Sequence, residues 1–264
     1  MSHEFVHISR EDRVAVVRFD RGFDLNPLSL KLIRELTQVA QVFQDDLQTS
    51  AVILTGRASS FTAGIDLKDP EIQRVMKVSI GEKIHAASQG ARMCRAWEEM
   101  PQVTVAAIEG FCLGGGVSLA VSCDLRLMGR SAYMRVPELE LGFNMSWQTL
   151  PRLANLVGPA RAKRIVLLAE RIGAQEAESW GLADWVVEDG KTLEEARRVA
   201  RRIAEMPPLP VRMTKQAVNA HVNALNHTAS FMDADQFTLT LLTEDHREGL
   251  QAFLEKRKAK FKAG

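Results

Sequence analysis

The sequence predicts a mixed α/β core followed by a helical C-terminal region, and three observations carry that prediction. Short apolar, β-branched runs at Val14–Phe19, 51–54 and Val103–Ile108 alternate with patterns of helical period. Three consecutive glycines, Gly114, Gly115 and Gly116, stand between the third run and another helical pattern, an arrangement of strand, tight turn and helix. From about Trp147 the signals are almost all helical, so residues 1–200 are expected to form the core and residues 201–264 a helical extension. With 264 residues, 46% of them hydrophobic and 25% charged, the chain can bury one large core, which excludes disordered, collagenous and small disulfide-stapled architectures.

Taken in order, residues 5–8 and 14–19 read as two strands, the second carrying consecutive Val-Ala-Val-Val. Ser29 opens an amphipathic helix whose apolar face is Leu32, Ile33, Leu36, Val39, Ala40 and Phe43. Residues 51–54 form a short buried strand, 79–100 a helix, and 103–108 a strand that runs into the glycine cluster before 117–121 resumes a helical pattern. Residues 124–128 and 132–135 read as further short strands, and Pro137 interrupts the pattern just before Glu138. Beyond Trp147, Gly158-Pro159, Gly173, Gly181 and Pro207-Pro208 divide the helices.

Thirty-four Lys and Arg balance 33 Asp and Glu, a net charge of +1, so no overall field attracts nucleic acid or an anionic membrane and any phosphate site must be local. Cys94, Cys112 and Cys123 are odd in number and lack metal-type spacing, which reads as three buried free thiols in a reducing compartment. His85, His221, His227 and His246 fall on helical stretches without a repeated ligand spacing; they are expected to be surface or internally satisfied residues, and no metal site is expected. Residues 1–20 hold no signal-peptide core, no apolar run reaches membrane-spanning length, and the last residues are Lys-Ala-Gly, so a cytoplasmic protein is expected.

Three segments offer chemistry. In Phe61-Thr62-Ala63-Gly64-Ile65-Asp66-Leu67-Lys68, Ala-Gly permits a tight backbone that can aim a free N–H at a ligand; an ordinary turn capped by Asp66 fits the same residues. In Gly110-Phe111-Cys112-Leu113-Gly114-Gly115-Gly116-Val117-Ser118, glycines behind a buried strand allow close approach of a ligand and leave helix N-terminal amides unpaired, which suits an oxyanion. Close helix-to-strand packing explains them equally well, and the spacing matches neither the dinucleotide nor the nucleotide-triphosphate fingerprint. In Val136-Pro137-Glu138-Leu139-Glu140-Leu141-Gly142, an acidic residue sits behind proline in an apolar stretch, where burial would make it a usable base. A solvated or salt-bridged loop carboxylate is the commoner outcome for Glu138 and Glu140 alike.

In this order the segments resemble the crotonase family, also called the enoyl-CoA hydratase/isomerase family. The resemblance covers nearly the whole chain: Leu25-Asn26-Pro27-Leu28-Ser29, the Ala-Gly-Ile-Asp segment, the glycine stretch with Cys123-Asp124, Pro137-Glu138 with Leu141-Gly142, and Trp180-Gly181-Leu182-Ala183. It closes with Thr243-Glu244-Asp245, Glu248-Gly249 and Glu255-Lys256-Arg257. It implies a superhelix of repeated ββα units, with the 201–264 helices assembling the chain as a homotrimer or a dimer of trimers. It also implies an acyl-coenzyme A thioester as substrate, coenzyme A being part of the substrate, with no separate cofactor and no nucleic-acid or membrane partner.

Matched position by position, the two amides that bind the thioester oxygen fall on Ile65 and Gly115, and the proton-transfer carboxylate falls on Glu138. The resemblance sets Asp24, Leu25 and Ala63 against the coenzyme, with Lys68 and Lys256 near its phosphates, and Asp66, Leu67 and Gly114 within the same substrate-binding segments. Met145 and Trp147 are expected either to reshape the acyl pocket or to pack in the core. Family hydratases carry a second glutamate where Ser118 stands; a hydroxyl cannot act as that base near neutral pH, and Ser118 is expected to bond back to a helix carbonyl. One remaining glutamate is the pattern of family isomerases that move a double bond from C3 to C2, so isomerisation is the expected reaction. The alternatives are hydration of a 2-enoyl-CoA, with Glu140 or a water on Ser118 as the missing partner, and a non-catalytic acyl-CoA-binding scaffold.

Overall fold

The computed structural model describes residues 3–262 except Asp24 and Met76. In chain order the strands are β1 (Val6–Glu11), β2 (Val14–Phe19), β3 (Ala51–Thr55), β4 (Val103–Ile108), β5 (Phe111–Leu113), β6 (Leu125–Gly129), β7 (Tyr133–Arg135), β8 (Ile172–Gly173) and β9 (Trp185–Val187). The helices are α1 (Leu30–Gln44), α2 (Pro70–Val75), α3 (Ile80–Glu98), α4 (Gly115–Ala120), α5 (Thr149–Leu168) and α6 (Ala174–Trp180). They continue with α7 (Thr192–Ala204), α8 (Pro208–Val222), α9 (Asn226–Ser230), α10 (Asp233–Thr240) and α11 (Glu244–Glu255).

β1 and β2 form an antiparallel hairpin, after which β2, β3, β4, β6 and β9 run parallel in that order. β3 is buried along its whole length and β4 nearly so, because a parallel sheet is covered on both faces and needs apolar continuity rather than alternation. Val17, Leu54, Ala106 and Ile108 face the main core, whereas Val16, Ile53, Val105 and Ala107 face Ala196 and Ala200 of α7.

A second ladder runs alongside. Leu28 bridges Ile65, Thr62 bridges Cys112, β5 pairs in parallel with β7, and β7 pairs antiparallel with β8. The chain thus steps from a strand of the first sheet to the second ladder and on into a helix, as in β4, β5, α4 and again in β6, β7, α5. This is the ββα superhelix that the resemblance implied.

Ser29 caps α1, accepting from Leu32 N at 3.1 Å, and the six apolar residues of its expected face are all buried. Ser79 and Glu82 cap each other at the start of α3. Gly158, with φ 77° and ψ 162°, bends α5 just before Pro159. β8 and β9 interrupt the stretch read as helical, and β5 and α2 went unread, because elements this short carry no hydrophobic period. The three cysteines are free and buried, and burial pushes the thiols up, Cys94 to about 11 and Cys123 to about 12.

The later helices fold back on the core. Lys215 of α8 is buried and reaches Gln102 O at 2.8 Å and Asp124 Oδ2 at 2.7 Å. α10 lies on α3, and α11 lies on the turn that follows β7. Among the described residues no helix is long and apolar enough to cross a membrane.

Candidate active site

The bridge between Thr62 and Cys112 sets residues 62–65 beside 112–115 in parallel register, so three residues further on Ile65 stands opposite Gly115. On the other side of this segment, Leu28 N donates to Gly64 O at 2.7 Å and Asp66 N donates to Leu28 O at 2.9 Å. Ile65 N–H lies between those two bonds and has no acceptor among the described residues. Gly64 has φ 84°, and a Cβ there would stand 2.7 Å from Leu113 O and 3.4 Å from Gly115 N, so glycine is what lets the two segments close.

Gly115 is the first residue of α4 and its N–H therefore has no intrahelical partner. Gly114 before it takes φ 51° and ψ −119°, a region open to glycine, while its own N–H is used on Arg135 O at 2.9 Å. The result is two adjacent amide donors without protein acceptors, the requirement for binding an oxyanion.

Glu138 begins the 3-10 turn Glu138–Leu141, which Pro137 forces out of the strand direction of β7. Its carboxylate lies against Gly114, where an added Cβ would meet Oε1 at 2.5 Å. The residue is 8% exposed, and Oε2 is buried without a hydrogen-bond partner among the described residues. Burial pushes the carboxyl up to about 7, against weaker opposing pulls from its own backbone and from Arg135. A carboxyl that titrates near neutrality can both take and return a proton.

Two expected partners of Glu138 are elsewhere. Glu140 is exposed and held by Arg135 Nη2 at 2.8 and 2.7 Å, so its carboxylate is committed to an ion pair and does not line the cavity. Ser118 is buried, and its Oγ lies 2.7 Å from Thr149 Oγ1, which lies 2.6 Å from Ser146 O. A carbonyl can only accept, so the Thr149 proton goes to Ser146 and Ser118 donates to Thr149. The expected bond from Ser118 to a helix carbonyl is not made; Ser122 makes it instead, to Ser118 O at 2.7 Å.

These groups face a cavity of about 330 Å³, walled among the expected residues by Ile65, Leu67, Lys68, Gly115, Ser118 and Glu138, together with Met145 and Trp147. Met145 is at once wall and core. Leu25, Ala63, Asp66, Gly114 and Lys256 do not line it. Leu25 is exposed and accepts Ala63 N at 2.9 Å, Asp66 is paired with Arg21 at 3.4 Å, and Lys256 caps α11 two residues beyond Leu254 on the wall. Asp24 lies outside the described residues.

Sequence reasoning missed part of the wall. α3 contributes Lys83, Ala86, Ala87 and Gly90, a stripe at helical spacing whose small residues were the available signal. α10 contributes Phe237 and its C-cap Leu241, and α11 contributes His246. His246 is buried with Nδ1 at 2.8 Å from Leu141 O, so Nδ1 carries the proton and Nε2 the lone pair. Burial lowers its pKa and keeps it neutral near pH 7.

Trp147 and Gln148 are consecutive non-glycine residues with φ 62° and 59°, each costing about 1–2 kcal/mol of backbone strain. A clamp holds them. Arg152 Nη1 donates to Trp147 O at 2.9 Å and to Gln148 O at 3.1 Å, while Gln148 N donates to Asp233 Oδ2 at 2.7 Å. Arg152 is itself fixed by two bonds to Glu98, at 2.7 and 2.8 Å.

Two amides without acceptors beside a buried, unbonded carboxyl are groups able to hold an oxyanion and to move a proton, on a fold of spiralled ββα units. The chain belongs to the enoyl-CoA hydratase/isomerase family, whose profile matches residues 9–264. It is 34% identical over 262 residues to a crotonyl-CoA hydratase of Syntrophomonas wolfei, covering 99% of both chains. It is likewise 34% identical over 254 residues to a short-chain-enoyl-CoA hydratase of Clostridium acetobutylicum, covering 96% of this chain and 95% of the relative. Among solved structures, an enoyl-CoA hydratase from Mycobacterium avium subsp. paratuberculosis superposes with a TM-score of 0.87 at 25% identity, covering 99% of this chain and 100% of that one.

Proposed function

We propose that the chain acts on enoyl thioesters of coenzyme A, with Glu138 transferring the proton at C2 while the Ile65 and Gly115 amides hold the enolate oxygen. The observation that carries this reading is the buried, unbonded Oε2 of a carboxyl that titrates at about 7, in a cavity whose wall also includes Ile65 and Gly115. Lys68 and Lys83 on the same wall supply local positive charge for the coenzyme's phosphates.

Hydration of a 2-enoyl-CoA is the first reading, because the relatives named for that reaction align over nearly their whole length. Glu138, as carboxylate, takes a proton from a water whose oxygen adds to C3. The C2–C3 π pair moves toward the thioester oxygen, and the protonated glutamate then returns a proton to C2. Water is added across the double bond and the carboxylate is regenerated. Each amide donor is worth about 3–4 kcal/mol of barrier at the enolate stage.

Isomerisation rests on a different observation. Glu138 is the only carboxylate among the described residues of the wall, and Ser118, where a second would stand, is turned to Thr149. One carboxyl suffices to remove a proton from C4 and return it to C2. Incubating the purified chain separately with 2-butenoyl-CoA and 3-butenoyl-CoA and identifying the products decides between them. 3-Hydroxybutyryl-CoA from the first substrate is the expected result. Conversion of the second to 2-butenoyl-CoA without hydroxylated product makes isomerisation the reaction, and no product from either removes the enzymatic reading.

A further inference from the structure

Trp147 belongs to two cavities. On one side of it is the Glu138 cavity, and on the other a second space of about 170 Å³ that shares Ala87, Ser146 and Trp147 with the first. Both follow α3: the Glu138 cavity touches Lys83, Ala86, Ala87 and Gly90, and the second touches Ala87, Ser88, Ala91 and Arg95. They meet at Ala87, Ser146 and the indole of Trp147, which walls both. A Cβ added at Gly90 would stand 1.9 Å from Trp147 Cε2, and one added at Gly115 would stand 2.5 Å from Cζ3. The ring therefore fills the width from the α3 backbone to the backbone of the amide donor.

The partition is fixed from behind. The left-handed backbone of Trp147 and Gln148 is held by Arg152, Glu98 and Asp233, which come from α5, α3 and α10. A ring on so constrained a backbone is a wall rather than a loose side chain. We propose that Trp147 closes the acyl groove beside Glu138 and thereby restricts the enzyme to short acyl chains, the second cavity being the continuation that it denies to longer ones. This rests on the acyl-CoA reading above. An alkyl chain gains affinity with every methylene it buries, so a closed groove discriminates by length through the methylenes it leaves without a place.

The test compares trans-2-butenoyl-, octenoyl- and dodecenoyl-CoA as substrates, with calorimetric binding of butanoyl- and dodecanoyl-CoA as a readout independent of turnover. In the unmodified protein, kcat/KM and affinity should fall as the chain lengthens. Trp147→Ala should raise the dodecenoyl-to-butenoyl ratio of kcat/KM by roughly tenfold or more. Adding Gly90→Leu to Trp147→Ala should return the ratio toward its original value, because the new side chain grows into the space the indole left; a structural role for the tryptophan would not be rescued in this way. Trp147→Phe, which keeps an aromatic ring in the wall, should shift the ratio in the same direction by less, and it decides the matter if Trp147→Ala does not fold. A ratio unchanged within about twofold in the folded variants overturns the proposal while short-chain turnover leaves the functional reading standing. Absence of acyl-CoA binding by the unmodified protein overturns both.

Discussion

Burying the Glu138 carboxyl with one oxygen unbonded raises its pKa from the ordinary 4.5 to about 7, so between those values the folded chain holds a proton that the unfolded chain has released. Stability from this group therefore falls as pH rises through that window. The penalty, about 3 kcal/mol, is absent below the lower value and fully present above the upper one. Glu138→Gln removes the charge and keeps the shape. It should melt at a higher temperature than the unmodified protein at about pH 8 and at nearly the same temperature at about pH 4, a comparison that calorimetry makes directly. Turnover in the same variant should drop by about 10²–10⁴-fold with acyl-CoA binding retained, since an amide takes no proton. For the unmodified enzyme, kcat/KM should rise with pH through about 7 as the carboxylate forms, whichever of the two reactions it performs.

The turn that carries Glu138 is positioned by α11 as much as by its own residues. His246 Nδ1 bonds Leu141 O at 2.8 Å, and Gly249 packs so closely that an added Cβ would meet Leu141 C at 2.7 Å and Glu140 O at 3.0 Å. Backbone cannot yield as a side-chain tip can. Gly249→Val should therefore lift α11 from the turn, destabilise the fold by about 1–3 kcal/mol and lower kcat more than it raises KM, measurable by denaturation and steady-state kinetics. Elements of this kind mark the limit of what the sequence discloses. The periods of α1 and α3 and the β-branched runs of β2, β3 and β4 were legible because each spans several repeats of its pattern. β8 spans two residues and β9 three, and the 3-10 turn has no period of its own, so only pairing in space defines them. Within the site, proline and glycine marked Glu138 and the glycine segments as candidates with a bland reading beside each, and only the ordered resemblance gave them roles. His246 and the clamp from Arg152 to Glu98 had no such mark, because their partners lie about a hundred and about fifty residues away in the chain.

At the scale of the molecule, α10 and α11 present one side to the cavity and another to solvent. Phe237, Leu241 and Leu250 line the cavity, while Leu239 and Leu242, with Leu209, Met213 and Leu225 of the preceding helical region, are exposed large apolar residues. Uncovered apolar surface of this kind in a chain with a net charge of +1 is what identical copies in closed symmetry would cover, and the mass in solution tests it. Light scattering is expected to give about 88 kDa, or twice that, for assemblies built from three chains of 29.4 kDa. The coupling to catalysis is then mechanical. In such an assembly the helices that roof the cavity on one side would be braced by a neighbour on the other. Leu225→Glu, which places a charge on an exposed position that does not line the Glu138 cavity, should shift the mass toward the single chain and raise KM for 2-enoyl-CoA, with the Glu138 limb of the pH profile unmoved. A monomeric unmodified protein with full activity would separate the roof from the assembly and leave the apolar surface to a different partner.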